Sequence, residues 1–369
     1  MTRRSWVNTI SAACAVRPVP AAESAVKVET AVIRLNLRHT WTTTMSSSEY
    51  RDTLHVRLTR DGITGRGEGA PIVRYKEDAA GARKIVDSLV PLLAGSDPMQ
   101  YRKLISAVFA KVEGEWAAKS AIDIAVMDWV GQKLGVPLYR LLGLDAADTP
   151  VTTFSIGIDT PEITKQKVLE AEAYPILKIK VGLDKDESTI EAVRSVTNKP
   201  LRPDANEGFR SKEEAVRKIN WLEGQGAVFI EQPLPAHMLD EQRWVRARVH
   251  IPILADEACL RAEDIPKIAD AYDGVVIKLD KTGGILGALR MIETARAHKL
   301  RIMLGCMVSS SVTITAAAHL SPMVDYADLD GNLLIANDPF TGVKVEKGKL
   351  ILPNRPGLGL LKSHVDSGN

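Results

Sequence analysis

In the second half of this 369-residue chain, short apolar runs end again and again in charged residues whose kinds suit proton transfer beside a carboxylate. The runs end in Lys178-Ile179-Lys180, Asp204-Ala205-Asn206, Glu231-Gln232, Asp256-Glu257, Lys278-Leu279-Asp280-Lys281 and Asp328-Leu329-Asp330. A single carboxylate after an apolar run is ordinarily a helix cap or a loop residue. Asp204, Glu231 and Asp256 differ because they close consecutive runs at the same depth. They would converge and repel one another unless a cation sat between them. All-oxygen ligation suits a hard divalent ion, with Mg²⁺, one per subunit, as the first choice.

Lys180 and Lys278 supply the other half of the chemistry. Period-2 alternation puts Lys178 and Lys180 on one strand face, so both can point inward. A lysine buried beside a metal ion and a second lysine is expected to hold its proton less tightly, which makes it a usable base near neutral pH. The plain alternative is that one lysine merely pairs with a metal-holding carboxylate. A proton next to a carboxylate is very weakly acidic, and its removal puts a second negative charge on the carboxylate oxygens. The cation, helped by Lys178, would stabilise that enediolate. One lysine would take the proton from one face and the other return a proton to the opposite face, inverting the stereocentre. Lys281 is expected on the loop after its strand, without a chemical role.

These residues need a scaffold that brings strand ends together. From Val151 onward, apolar runs alternate with helical segments: Val151–Ile156, Leu177–Val181, Leu201–Asp204, Val228–Glu231, Ile253–Ala255, Val275–Leu279 and Arg301–Leu304 read as strands. Glu187–Val196, Lys212–Glu223 and Leu286–Ala297 read as helices. The spacing of roughly 25 residues per unit suits a (β/α) barrel, whose active sites lie at the C-terminal strand ends. A doubly wound open sheet is the structural alternative, although no glycine-rich phosphate loop follows the first strand. Ahead of the barrel, Val26–Leu37, Leu54–Leu58 and Gly65–Ala70 form an antiparallel meander, with a turn at Asp61-Gly62. Ala79–Leu93, Met99–Val112 and Trp116–Leu134 read as helices, the last amphipathic, with Ile122, Ala125, Val126, Trp129 and Val130 near one face. Leu138–Leu142 is a short turn or helix. The expected division is 1–25 as leader or tail, 26–148 as an α+β cap, 149–335 as barrel, and 336–369 packing back on the cap. Val343, Val345, Leu350 and Ile351 suggest strands in that last part.

Bulk composition narrows the partners. Forty-eight basic residues balance 46 acidic ones for a net charge of +2, which leaves no broad electrostatic footprint for nucleic acid. No apolar run is long enough to span a bilayer. Cys14, Cys259 and Cys306 are too few and too far apart for a disulfide framework or a zinc site. Thr2-Arg3-Arg4-Ser5-Trp6-Val7, the apolar stretch Ile10–Val16 and the Pro18–Ala22 segment read as a twin-arginine export leader, which would place the protein in the periplasm. The alternative is a disordered basic tail on a cytoplasmic protein. Cys14 after Ala12-Ala13 hints at lipid attachment, but Ser11 fits that pattern poorly.

Several segments together resemble the enolase superfamily, in its muconate-lactonizing-enzyme subgroup. They are AAKSAIDIAVMDWVGQKLGVPLYRLLG at 117–143, then KIK, PDAN, IEQP, ADEA, IKLDKTGG and the closing PGLGL. A lysine base working with Mg²⁺ is a known pattern of that superfamily. The resemblance implies an α/β fold, a modified TIM (β/α) barrel under an N-terminal α+β capping domain. It implies Mg²⁺ on Asp204, Glu231 and Asp256, and, by alignment, Lys278 and not Lys281 as the partner of Lys180. Within the subgroup the chain looks most like dipeptide epimerases of the L-Ala-D/L-Glu type, which links it to peptidoglycan peptides. Those enzymes hold the dipeptide ammonium on an Asp-x-Asp pair, here Asp328 and Asp330; the alternative is that the pair caps the next segment. Ser155 matches a position whose hydroxyl contacts substrate in some relatives. Ser309 lies where many relatives have glutamate, and Ser46 where Glu-specific members carry arginine. Arg51 or Arg74 could replace that arginine, or the side-chain preference could differ. Competing readings are an N-acylamino-acid racemase, an o-succinylbenzoate synthase or a cycloisomerase of the same subgroup, and, more remotely, a binding protein that kept the fold. Mandelate-racemase-like and sugar-acid-dehydratase chemistry uses a histidine on the seventh strand, where this chain has Leu304-Gly305-Cys306. Homo-oligomers are common in the family.

Overall fold

The computed structural model describes residues 25–363, so the leader, including Cys14, lies outside the described residues. The chain opens with a three-stranded antiparallel meander: β1 (Lys27–Thr42), β2 (Ser47–Arg60) and β3 (Ile63–Gly69). The β1–β2 pairing runs from Lys27↔Thr59 to Asn36↔Tyr50, breaks register, and resumes at Trp41↔Ser48. Both strands are longer than their alternating cores suggest, and the extra length carries a hairpin over the barrel mouth. Helices α1 (Ala79–Ala94) and α3 (Trp116–Leu134) pack on the meander, and α2 (Tyr101–Lys111) packs on those two helices. β3 can lie directly on α3 because it is glycine at every second position. A Cβ on Gly65, Gly67 or Gly69 would come within about 2 Å of the Ala125, Ala121 or Ala117 carbonyl oxygen.

The amphipathic reading of α3 is corrected by the structure. Every residue from Ala117 to Gly131 is buried. One face carries Ile122, Ala125, Val126, Trp129 and Val130 into a core shared with Leu54, Val56 and Leu58. The opposite face carries Ile124 and Met127 into the barrel's own core. The polar residues on that second face are ties, not solvent-facing groups. Asp123 accepts hydrogen bonds from the Ile285 and Leu286 N–H groups, and Asp128 from those of Arg66 and Leu358.

A short helix, α4 (Leu138–Leu141), leads into the barrel. Its strands are β4 (Phe154–Ile156), β5 (Leu177–Lys180), β6 (Leu201–Asp204), β7 (Ile230–Glu231), β8 (Ile253–Ala255), β9 (Gly274–Ile277), β10 (Arg301–Leu304) and β11 (Tyr326–Ala327). All neighbours are parallel and follow chain order. A parallel bridge between Thr152 and Ala327 joins the two ends of the sheet. Sequential order with that closing bridge rules out the doubly wound alternative, whose strand order reverses at a switch point. The outer helices are α5 (Pro161–Glu170), α6 (Asp186–Arg194), α7 (Lys212–Gly224), α8 (Leu239–Arg246), α9 (Ile265–Ile268), α10 (Leu279–Thr282), α11 (Ile285–Ala297) and α12 (Ser311–Ala318). No helix among the described residues is long and apolar enough to cross a membrane.

The last strands are β12 (Phe340–Thr341), β13 (Lys344–Glu346), β14 (Lys349–Ile351) and β15 (Leu361–Lys362), paired β12–β15 and β13–β14. Val343, Leu350, Leu352 and Leu358 join the barrel core. Gly357 bridges to Pro137, just after α3.

Candidate active site

The site is built where the barrel strands end. Lys178 and Lys180, two apart on β5, both turn inward. Asp204 ends β6 and pairs in register with Lys180 on one side and Glu231 of β7 on the other. Asp256, Lys278 and Asp328 each stand one residue beyond β8, β9 and β11. β5 and β9 lie four strands apart in a ring of eight, so Lys180 and Lys278 face each other with the three carboxylates between them. Both lysines keep a small accessible tip, at 7% and 6% relative exposure, while Asp204, Glu231 and Asp256 are essentially sealed.

The contacts are close. Lys180 Nζ donates to Asp204 Oδ2 at 2.6 Å and to Asn206 Oδ1 at 2.8 Å. Lys178 Nζ donates to Glu231 Oε2 at 2.9 Å and Asp328 Oδ2 at 2.6 Å, and lies 3.0 Å from Asp204 Oδ2. Lys278 Nζ donates to Asp256 Oδ2 at 2.7 Å. Lys281 is not on a loop. It sits on the one-turn helix α10, its side chain fully buried, and donates to Asp256 Oδ1 and to the Asp256, Val276 and Cys259 carbonyls.

Charge placement sets the electrostatics. Burial works against the Lys278 ammonium, but Asp256 and Glu231 outweigh it and hold its pKa well above the usual lysine value. Lys178 is raised in the same way, against burial, by Asp204, Asp328 and Glu231. The expected lowering is therefore reversed among the protein's own charges, because each of these lysines faces more than one carboxylate. Asp204 and Asp256 fall below the ordinary carboxylate range: burial would raise them, and the lysines override it. Glu231 goes the other way, pushed up to about 8 by burial and by Asp204.

Glu231 Oε1 is also buried without a hydrogen-bond partner. Among the described residues, no three acidic, histidine or cysteine side chains stand at metal-ligating geometry, since Asp204 and Asp256 are turned toward lysine ammoniums. The donor chemistry nonetheless fits a hard divalent cation. Three carboxylates on adjacent strands, one with an orphaned oxygen, form an all-oxygen set whose mutual repulsion such an ion would relieve.

The Asp-x-Asp pair is split in its contacts. Asp328 is engaged by Lys178, by the Thr153 hydroxyl and, at 3.5 Å, by the Ser155 hydroxyl. Asp330 Oδ2 accepts the Ser155 N–H at 2.6 Å. Burial and the neighbouring Asp328 push Asp330 up to about 7. Ser155 thus positions both carboxylates. Ser309 is buried and bonded to the Met307 carbonyl.

The charged floor opens into a cavity of about 690 Å³. Its walls include Trp41, Met45 and Ser46 of the β1–β2 hairpin, Ile72–Tyr75 after β3, and Lys180, Lys278, Asp328 and Asp330. Sequence reasoning assigned no role to Asn206, which links Lys180 to Glu257, or to Lys281. Asn206 was visible two residues after Asp204 in the PDAN segment. Nothing local marks Lys281, whose partner is 25 residues away.

A parallel barrel with opposed lysines and a carboxylate set at its mouth, under an α+β cap, defines the enolase-type architecture. Two family models cover the chain: the mandelate racemase/muconate lactonizing enzyme N-terminal domain matches residues 25–143, and the enolase C-terminal domain-like model matches residues 163–361. The chain belongs to this family. The L-Ala-D/L-Glu epimerase of Bacteroides thetaiotaomicron is 41% identical over 329 residues, covering 89% of this chain and 86% of that protein. The substrate-liganded L-Ala-D/L-Glu epimerase of Bacillus subtilis superposes with a TM-score of 0.86 at 29% identity, over 92% of this chain and 99% of the other. A dipeptide epimerase of Enterococcus faecalis, complexed with Mg and L-Leu-L-Tyr, gives 0.84 at 32% identity, again over 92% and 99%.

Proposed function

We propose that this protein epimerises dipeptides, inverting the α-carbon of the C-terminal residue with Lys180 and Lys278 as the two bases. The observation that carries it is the placement of these lysines on strands four apart, on either side of one carboxylate set, in one cavity. Inversion needs bases on opposite faces of a planar intermediate, and two lysines on one side could only exchange the proton. Asp204, Glu231 and Asp256 would hold Mg²⁺, one per subunit. When bound, that ion supplies positive charge against the substrate carboxylate and makes the adjacent C–H removable. Lys178 adds a fixed ammonium on the same side. Asp330, engaged by a backbone N–H but ion-paired with no cation among the described residues, receives the dipeptide ammonium, and Asp328 orients Lys178 beside it.

Incubation with L,L-dipeptides in D₂O with Mg²⁺ tests the reading. The C-terminal α-proton is expected to exchange and the centre to invert. Lys180→Ala and Lys278→Ala should each abolish inversion while one keeps exchange from the L,L isomer and the other from the L,D isomer. Absence of exchange across a broad dipeptide library overturns the proposal. Calorimetry should show Mg²⁺ binding lost in Glu231→Gln.

One observation favours a second reading. Asp328 already has cation and hydroxyl partners, so an N-acylamino-acid racemase, which needs no ammonium site, would tolerate Asp328→Ala. The leader would carry the protein to the periplasm, and cell fractionation that leaves the full chain in the cytoplasm overturns that part.

A further inference from the structure

A second layer of the barrel interior lies beneath the charged floor. Val276, Met303 and Tyr326 stand in register there and pack with Phe229 and Leu254 as a small apolar cluster. One cation intrudes on it. Arg202 pairs in register with Lys178 and precedes Asp204 by two residues, so strand alternation turns it inward with both. It is 6% exposed, and its guanidinium lies 5.2 Å from the Phe229 ring centroid and 5.0 Å from that of Tyr326. Among the described residues it forms no ion pair, and its Nε is buried without a hydrogen-bond partner. Its Nη1 reaches across the interior to β11 and donates to the Ala327 carbonyl at 3.1 Å. Ala327 immediately precedes Asp328 and is the partner of Thr152 at the bridge that closes the ring.

A guanidinium keeps its charge when buried. Leaving one of its N–H groups unpaired in an apolar layer costs stability, and an aliphatic side chain would fill the space without that cost. What the charge gains is position. Burial works against it, and Asp328 is the carboxylate that favours it. Asp328 in turn accepts from Lys178 at 2.6 Å. Arg202 from the layer beneath and Lys178 at the floor therefore attract the same carboxylate.

We propose that Arg202 is a positioning residue of the reaction: from beneath the floor it fixes the Ala327–Asp328 segment, and through Asp328 the Lys178 ammonium that serves the substrate carboxylate. This rests on the epimerase reading above. Arg202 does not line the cavity, so it acts only through the residues it holds. An aspartate held by an ammonium alone can follow it. Held from two sides it becomes a fixed anchor, and Lys178 is fixed with it. That ammonium must stay in place while the second negative charge forms, and a misplacement of about 1 Å is enough to lose roughly 100-fold in rate.

The test measures the kinetics of α-proton exchange in D₂O, with Mg²⁺ and a dipeptide that the wild type turns over. It compares the wild type with Arg202→Gln, which keeps an N–H donor without the charge, and Arg202→Lys, which keeps the charge. Arg202→Gln should lose roughly 10- to 100-fold in kcat with little change in KM, because Lys178 matters most as charge develops. Arg202→Lys should restore part of that loss. Wild-type kcat in Arg202→Gln overturns the proposal, as does a loss confined to KM. An equal loss in both variants, the pattern of a packing role, overturns it too. Should neither variant fold, Tyr326→Leu decides, since it frees one side of the guanidinium without touching the floor. A lowered kcat at unchanged KM then supports the proposal, and wild-type kcat overturns it. No exchange by the wild type with any dipeptide sinks the epimerase reading and this one with it, whereas wild-type exchange with an unaffected Arg202→Gln sinks this inference alone.

Discussion

Lys281 moves no proton in the proposed reaction, yet it holds Asp256 through a carboxylate contact and three backbone carbonyls. Lys281→Met removes one partner of a buried pair and should cost about 3–5 kcal/mol in urea unfolding. Mg²⁺ affinity should fall with it, because Asp256 loses the group that fixes one of its oxygens. His319 gives a pH signature far from the site. Its Nδ1 accepts from the Tyr139 N–H at 3.3 Å and its Nε2 lies 3.2 Å from the Leu358 carbonyl. Burial pushes its pKa down from 6.5 to about 4. Between those values the unfolded chain binds a proton that the folded chain refuses. This contribution is therefore complete above pH 6.5 and is lost as pH falls toward 4, about 3 kcal/mol in all. The difference in unfolding free energy between wild type and His319→Gln should shrink across that window; an unchanged difference would rule the account out.

At the scale of elements, the glycine stripe of β3 is the tightest constraint. Gly67→Ala would set a Cβ 1.9 Å from the Ala121 carbonyl oxygen, so strand or helix must shift. Overpacking of this kind costs about 1–3 kcal/mol, to be read as a lowered unfolding midpoint, with Gly62→Ala failing to serve as a control because its φ is +75°. Gly224→Ala, with open space around it, is the right control. Elements bounded by clear punctuation were legible from sequence: Leu201–Asp204, Ile253–Ala255, Arg301–Leu304 and Trp116–Leu134 have the bounds their patterns suggest. Val228–Glu231 is shorter, because only Ile230 and Glu231 pair as strand while Val228 is 43% exposed. That Lys180, Asp204, Glu231, Asp256 and Lys278 would come together was legible because barrel strands bring consecutive chain positions to one rim. The α3 misreading has a physical cause. Alanines and tied aspartates give a second face too small and too polar to register as apolar, although it packs against the barrel.

For the whole molecule, α3 belongs to two cores at once, and Glu68 adds another tie. It accepts from the Ser310 N–H and hydroxyl and from the Thr313 N–H. Burial would raise Glu68, but His55 and Ser310 bring it down to about 2. Cap and barrel should then unfold as one unit, with a single calorimetric transition and matching calorimetric and van't Hoff enthalpies. Two resolved transitions would show that the shared helix does not couple them.

The seam of the barrel has its own consequence. Thr152 and Ala327 close the ring through a single bridge, and near it stand Ser155 on one side and, on the other, Asp328 and Asp330, the latter being the carboxylate that the proposed reaction gives to the peptide's ammonium. A peptide seated there would work as a staple across a joint held by one bridge. Breathing of that joint and release of the peptide would become one event, so amide exchange at the Leu329 N–H, which donates to the Thr152 hydroxyl across it, should slow as ligand is added.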